Sequence, residues 1–302
     1  MSLITRRQFI RRTAVLAGTA VLSPFAVQAA ESPPKRTAID QVSLGKTGLK
    51  LSRLGIGVGS NSGNVQRSLG RDAFNRLVRH AYDRGITYID TADSYGTHEW
   101  VRDAVKGLPR EKLFIQSKMG GVPRKPLEEL DRFRKELNVD YIDSLLVHCA
   151  TTKKWDEERK RLMDALDEAK EKKIIRAKGV SCHSLPALSR SAQLDWVNVH
   201  LVRINPQGAH IDTPAEAVDA HSDASHLPDV EKQIRTMRDK GHGIIGMKII
   251  GNGDFTKPED REKSIRYAMQ CGLLDAVVIG FKSPGEIDEA IERIDKALAE
   301  RV

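Results

Sequence analysis

The sequence predicts an α/β protein, a (β/α)8 TIM barrel with an N-terminal β-hairpin. Three observations point there. From residue 39 onward, short apolar runs alternate with amphipathic charged stretches. Eight such pairs can be counted, the number this barrel requires. The 302 residues slightly exceed the roughly 250 that one such barrel uses. An open doubly wound sheet gives a similar alternation, but usually with fewer strands per domain.

Residues 1–30 read as a separate segment. Arg6, Arg7, Arg11 and Arg12 cluster ahead of an apolar run from Thr13 to Val27, and the first acidic residue is Glu31. Gly18 and Pro24 interrupt the run, and Val27-Gln28-Ala29-Ala30 offers small residues for cleavage. A stable spanning helix wants about 20 uninterrupted apolar residues, so this layout reads as an export signal. Thr5-Arg6-Arg7-Gln8-Phe9-Ile10 resembles the twin-arginine (Tat) signal, which implies a Tat translocon as partner and a periplasmic or other extracytoplasmic location. An ordinary Sec signal or a single N-terminal anchor is the alternative. Residues 31–38, with Pro33-Pro34, read as a linker, and 39–302 as the barrel.

Val42 and Leu44, then Leu49 and Leu51, flank Gly45-Lys46-Thr47-Gly48 and predict the hairpin, closing one barrel end. Barrel strands are expected at 54–58, 87–90, 113–117, 142–147, 177–180, 197–204, 243–247 and 276–279. Helices are expected at 71–84, 98–106, 126–137, 156–172, 184–192, 229–240, 259–271 and 285–300. Phe74, Leu77, Val78 and Ala81 carry the i, i+3, i+4, i+7 spacing of a buried helix face, as do Ile287, Ala290, Ile291, Ile294, Ala297 and Leu298. The longest gap, 205–227, would follow strand six at the face where such barrels carry their sites.

Composition excludes several classes. Three cysteines cannot staple a disulfide scaffold, and none forms a CxxC pair. The formal charge of +8 suggests an acidic partner, but half of it sits in residues 1–30. Without them, 45 basic residues face 41 acidic ones. Aromatics are 5% of the chain and do not interleave with basic runs, so no nucleic-acid partner is expected.

Side chains at strand C-termini line the site of a (β/α)8 barrel. Strand two ends in Asp90, with Tyr95 just beyond, strand three in Ser117-Lys118, strand four in His148-Cys149, and strand five in Ser181-Cys182-His183. Singly, each has an ordinary structural reading as a cap, a lid residue or a solvated amine. Together they have a chemical logic. A tyrosine titrates near 10, and a neighbouring ammonium favours its phenolate. A carboxylate would hold the ammonium, and a histidine could donate a hydrogen bond to a substrate oxygen. Such a site can protonate a carbonyl oxygen while hydride from a cofactor reaches its carbon.

Three stretches make the sequence similar to the aldo-keto reductase family. They are 44–57; 85–96, which ends Asp90-Thr91-Ala92-Asp93-Ser94-Tyr95-Gly96; and the order of Lys118 and His148 at the ends of strands three and four. The resemblance spans about 40–290. It implies a catalytic tetrad of Tyr95 as general acid/base, Lys118 as its pKa modulator, Asp90 as the partner of Lys118, and His148 orienting the carbonyl. It implies a nicotinamide cofactor held by Ser181, Cys182 in place of the family's Asn, Asn205, Met247 in place of a stacking aromatic, and Lys248. Lys282 and Ser283 would meet an adenosine 2′-phosphate, so NADP(H) is favoured and NAD(H) possible, with Glu286, Asp288 and Glu289 as acids that should oppose the phosphate. Trp155 is the best candidate for a substrate wall, and the substrate would be a small-molecule carbonyl compound.

Two other readings compete. His148, Cys149, Cys182, His183, His210 and Asp212 near one rim could bind zinc in a metal-dependent hydrolase or isomerase, although there is no HExxH helix. The altered cofactor clamp also allows a nicotinamide-binding barrel that acts as a non-catalytic partner or sensor.

Overall fold

The structure, a computed structural model, describes residues 35–300. The export signal and the first half of the linker expected from the sequence, residues 31–34, lie outside the described residues. The compact unit begins at Arg36. Thr37 and Ala38, at the end of the expected linker, are already docked: the Thr37 carbonyl accepts a bond from Arg53 Nε, and the Ala38 N–H donates to Asp295.

A two-stranded antiparallel hairpin comes first, β1 (Gln41–Ser43) and β2 (Lys50–Ser52). Then come β3 (Leu54–Gly57), β4 (Tyr88–Asp90), β5 (Phe114–Met119), β6 (Ile142–Ala150), β7 (Ile175–Cys182), β8 (Val199–Arg203), β9 (Gly243–Met247) and β10 (Ala276–Gly280). These eight strands are parallel and close into a barrel, with Val277–Gly280 of β10 pairing Leu54–Gly57 of β3. The expected fold class and all eight expected barrel strands are present.

Strand alternation sorts side chains into two cores. Tyr88, Phe114, Leu146, Val199, Leu201 and Ile245 fill the interior together with Leu44 and Leu51 of the hairpin. The intervening residues, such as Ile89, Ile115 and Val202, face the helices in a larger outer core. The hairpin closes the bottom of the barrel: Lys46 N–H donates to the Gly241 carbonyl and Gly45 N–H to Asp275. A side chain at Gly45 would strike the backbone of residues 241–243, so only glycine fits there.

The helices are α1 (Asn64–Arg67), α2 (Arg71–Asp83), α3 (His98–Val105), α4 (Pro126–Leu137), α5 (Trp155–Glu158), α6 (Lys160–Glu171), α7 (Leu185–Gln193), α8 (Leu227–Asp239), α9 (Pro258–Gln270) and α10 (Pro284–Ala299). Phe74, Leu77, Val78 and Ala81 form the buried face of α2. Ser184 and Ser283 cap α7 and α10, each with a proline in the first turn, where its missing N–H costs nothing. One expectation fails in detail. The single helix read at 156–172 is two, broken at Arg159, whose φ of −104° and ψ of 12° leave the helical region. The gap after β8 holds only a short 3₁₀ turn, Ala224–His226, before α8 begins.

Candidate active site

The rim of strand C-termini carries four side chains in contact. Asp90 ends β4 on an inward position, two residues beyond Tyr88. Its Oδ2 accepts from Lys118 Nζ at 2.7 Å and its Oδ1 from Gln116 Nε2 at 2.9 Å. Lys118, on β5, is 1% exposed. Its other two donors go to the Thr91 carbonyl (2.9 Å) and Tyr95 Oη (3.4 Å), so all three are used. Burial works against the Lys118 charge, but Asp90 and Tyr95 outweigh it and hold the ammonium pKa above its usual value.

Tyr95 closes a 3₁₀ turn, Asp93–Tyr95, followed by Gly96 in the left-handed region. Its ring lies against the Gly59 backbone, where an added Cβ would be 2.2 Å from Tyr95 Cε2. Its Oη is 3.5 Å from His148 Nε2. The sequence led us to expect that Lys118 lowers the Tyr95 pKa. Burial nevertheless raises the phenol above its usual value; Lys118 does act in the expected direction, through its charge and its hydrogen bond, but is outweighed. Tyr95 is therefore a protonated acid at neutral pH.

His148 stands on the inward side of β6, next to a bulge. The register of β6 on β7 shifts between Val147 and Ala150, and Cys149 takes a φ of 59°. The bulge re-aims the strand end, as bulges beside sites do. Burial, with Lys118 nearby, pushes the imidazole down to about 3, so it is neutral. Ser94 Oγ lies 3.4 Å from Nδ1. With Ser94 donating there, Nε2 carries the proton and points it at Tyr95 Oη and the space beside it. Tyr95 Oη and His148 Nε2 thus form a pair of donors for one oxygen atom.

A groove of about 600 Å³ leads away from Asp90 and Tyr95. It passes Gly57, Gly59, Met247 and Lys248 and ends between α9 and α10 at Arg261, Glu286, Glu289 and Arg293. Lys248 leaves β9 with a φ of 63°, and its Nζ donates to Asn252 Oδ1 at 2.8 Å. Burial, assisted by Arg203, lowers its pKa to about 8. Lys282 lines the same groove. With backbone glycines at its inner end and Met247, Lys248 and Lys282 along it, the groove could hold a nicotinamide dinucleotide.

A sequence profile of the Aldo/keto reductase family matches residues 53–270. The chain belongs to the aldo/keto reductase family. Among its relatives, "Probable aldo-keto reductase 1" of Glycine max is 32% identical over 184 residues, 52% of this chain and 51% of that protein. The 9,11-endoperoxide prostaglandin H2 reductase of Trypanosoma cruzi (strain CL Brener) is 29% identical over 166 residues, 52% of this chain and 54% of that protein. The chain spans about half the length of these curated relatives. The solved holo form of an aldo-keto reductase from Bacillus halodurans superposes with a TM-score of 0.67 at 17% identity, covering 88% of this chain and 96% of that one. At that identity the likeness speaks for the fold.

For this aldo/keto reductase, the structure places the residues expected to hold cofactor and substrate differently from one another. Ser181 faces inward and is wholly buried; its Oγ accepts the Cys149 N–H at 3.0 Å, leaving only the hydroxyl proton to donate. Cys182 faces the opposite way. It packs in the outer core with Sγ 3.4 Å from Ser191 Oγ, and burial pushes its thiol pKa up. It cannot clamp a cofactor in the groove, because consecutive strand residues point to opposite faces. Asn205 is wholly buried and braces loops: its Nδ2 donates to the Ala209 and Lys248 carbonyls and its Oδ1 accepts from Ala209 N–H. Ser283 caps α10 with its Oγ. Trp155 is 1% exposed, packed edge-on against Trp196 in the outer core, and is no substrate wall. Of the three acids expected to oppose the phosphate, Asp288 turns away to His80 and Arg84, while Glu286 and Glu289 line the groove.

His148 and His183, both named for a zinc site, are neighbours with ring centroids 6.5 Å apart, but among the described residues no third residue of that set brings a ligand atom to them. Cys182 faces outward, Asp212 accepts from Arg203 Nε at 2.7 Å, and His210 bonds Asp254 at 2.8 Å. Asp93, His98 and Glu136 do lie close together. However, both His98 nitrogens are taken by Glu136 and Ser117, and Arg132 already bridges the two carboxylates. That cluster is an ionic brace behind the Tyr95 turn.

Sequence reasoning missed Tyr88, Gln116, Gly59, Ser94 and Arg203. Gln116 Nε2 donates to Tyr88 Oη as well as Asp90, so the two form the floor under the carboxylate. The signal was present: Tyr88 and Gln116 each stand two residues before a nominated site residue, on the same strand face.

Proposed function

We propose that this aldo/keto reductase reduces a small-molecule carbonyl compound to an alcohol with NAD(P)H, the proton coming from Tyr95. The observation that carries the reading is Tyr95 Oη, set between the Lys118 ammonium and His148 Nε2 at the inner end of the groove. A bound reduced nicotinamide supplies the hydride. Tyr95 Oη and His148 Nε2 hold the carbonyl oxygen by two hydrogen bonds, which strengthen as negative charge develops there. Tyr95 then gives up its proton. The Lys118 ammonium, fixed by Asp90, stabilises the phenolate left behind. Asp90 is itself fixed by Gln116, so the charge stays paired throughout the transfer.

The test is turnover of a panel of aldehydes, ketones and quinones with NADH and with NADPH, followed by loss of nicotinamide absorbance. Carbonyl-dependent oxidation of either cofactor is the expected result. Tight dinucleotide binding with no turnover across the panel would instead favour the partner or sensor reading.

We also propose that the chain is exported by the Tat route as a folded barrel. The paired Arg6-Arg7 and Phe9 ahead of the apolar run support this. Replacing Arg6 and Arg7 by Lys is expected to leave precursor in the cytoplasm, read by fractionation. Export that continues undiminished would speak for the Sec route.

A further inference from the structure

The outer end of the groove holds four charged groups besides Lys282, and they are already paired or committed. Glu289 Oε1 accepts from Arg261 Nε at 2.9 Å and from Arg293 Nε at 2.8 Å. Arg293 NH1 also reaches Glu262 Oε2 at 2.6 Å, and Arg261 NH1 donates to the Phe255 and Thr256 carbonyls. Nε and NH1 of both guanidinium groups are therefore engaged by the wall, where Glu289 and Glu262 offset their charge. Glu286 has a different role. Its carboxylate folds back over the first turn of α10, where Oε2 accepts the Lys282 N–H at 2.7 Å, while its own N–H donates to Ser283 Oγ at 3.4 Å. This is a close relative of the capping box. The helix N-terminus, which would otherwise draw an external anion, is thus occupied by the chain's own negative charge. The exposed Lys282 ammonium, on its flexible stem, stands against it.

We infer that the groove selects a dinucleotide whose adenosine ribose keeps a free 2′-hydroxyl, NAD(H), and that Glu286 is the residue that sets this choice. The inference rests on reading the groove as the dinucleotide site. A carboxylate accepts hydrogen bonds from a ribose diol, and it repels a 2′-phosphate placed beside it. The preference reverses the order expected from Lys282 and Ser283 alone.

The experiment titrates the full-length chain with NADH and NADPH and follows the dinucleotide's own fluorescence at low salt. The expected result is NADH binding at least about tenfold tighter than NADPH, a ratio that shrinks as salt screens the repulsion. Glu286→Gln, nearly isosteric, is expected to bring the ratio below about threefold, and Glu286→Arg to invert it. NADPH binding as tightly as NADH, or a ratio unmoved by Glu286→Gln, overturns the inference while leaving the reductase reading intact. If neither dinucleotide binds at millimolar concentration, the reading of the groove falls, and the inference with it.

Discussion

Tyr95→Phe is expected to lower kcat/KM for carbonyl reduction by about 10²–10⁴-fold, the usual worth of a positioned general acid. Dinucleotide affinity should stay within about threefold of the parent, because the ring that borders the groove is retained and only Oη is lost. The fold should be unaffected. Lys118 loses its longest contact, 3.4 Å, and keeps Asp90 and the Thr91 carbonyl. The pH profile makes the assignment sharper. Reduction needs the phenol protonated. Burial raises the Tyr95 pKa above its usual 10, and Lys118 only partly offsets this. The proton is therefore in place across the neutral and mildly alkaline range, and is lost only as pH rises through that raised pKa. His148, pushed down to about 3 by burial, contributes no break near 6.5. So far as these two groups decide it, the parent enzyme should show a flat rate from pH 5 to 9, falling above about 10. The residual rate of Tyr95→Phe should lack that alkaline limb. A limb centred well below 10 would mean that the ammonium, not burial, dominates the phenol. Unchanged turnover in Tyr95→Phe would remove Tyr95 from the chemistry altogether.

The barrel was legible because its two periodicities are clean: apolar runs of strand length, then helical faces such as Ile287, Ala290, Ile291 and Ile294. The four tetrad residues were legible for a related reason. Each is a polar residue where an apolar run ends or just beyond, and the topology brings all such ends to one rim. What failed was parity and long-range packing. Ser181 and Cys182 are neighbours on one strand, so at most one can face the groove. Met247 and Lys248 both line the groove because Lys248 lies just past the end of β9, where it turns left-handed, and its sequence gives no sign of this. Trp155 follows a site strand in sequence but meets Trp196, 41 residues later, in the outer core. The direction of the Tyr95 pKa depended on a balance of burial against charge, and burial cannot be read from residue types.

Gly59→Ala is expected to be nearly as damaging to turnover as loss of the phenol itself, although Gly59 carries no chemistry. A Cβ built there would sit 2.2 Å from Tyr95 Cε2, 2.4 Å from Cζ and 2.8 Å from Cδ2. No carbon pair tolerates such distances, so the ring must move. Its freedom to do so is limited. The Lys118 ammonium lies 4.8 Å from the ring centroid, and the His148 ring packs edge-on at 5.6 Å. A displacement of roughly 1 Å at a reacting group costs on the order of 10²-fold in rate. The Gly59 backbone is not in the left-handed region, so the variant should fold, with an overpacking cost of about 1–3 kcal/mol spread over the ring's neighbours. Gly120→Ala is a useful control on the same rim: its Cβ would meet only His148 Cβ, at an ordinary 4.0 Å, so turnover should stay near that of the parent. The decisive readout is kcat together with the position of the alkaline limb. A ring pushed away from Lys118 loses the charge that lowers its pKa, so any surviving limb should move to higher pH. If kcat in Gly59→Ala stays within about threefold of the parent, Tyr95 is not held by that glycine, and the geometry of Oη must be set elsewhere.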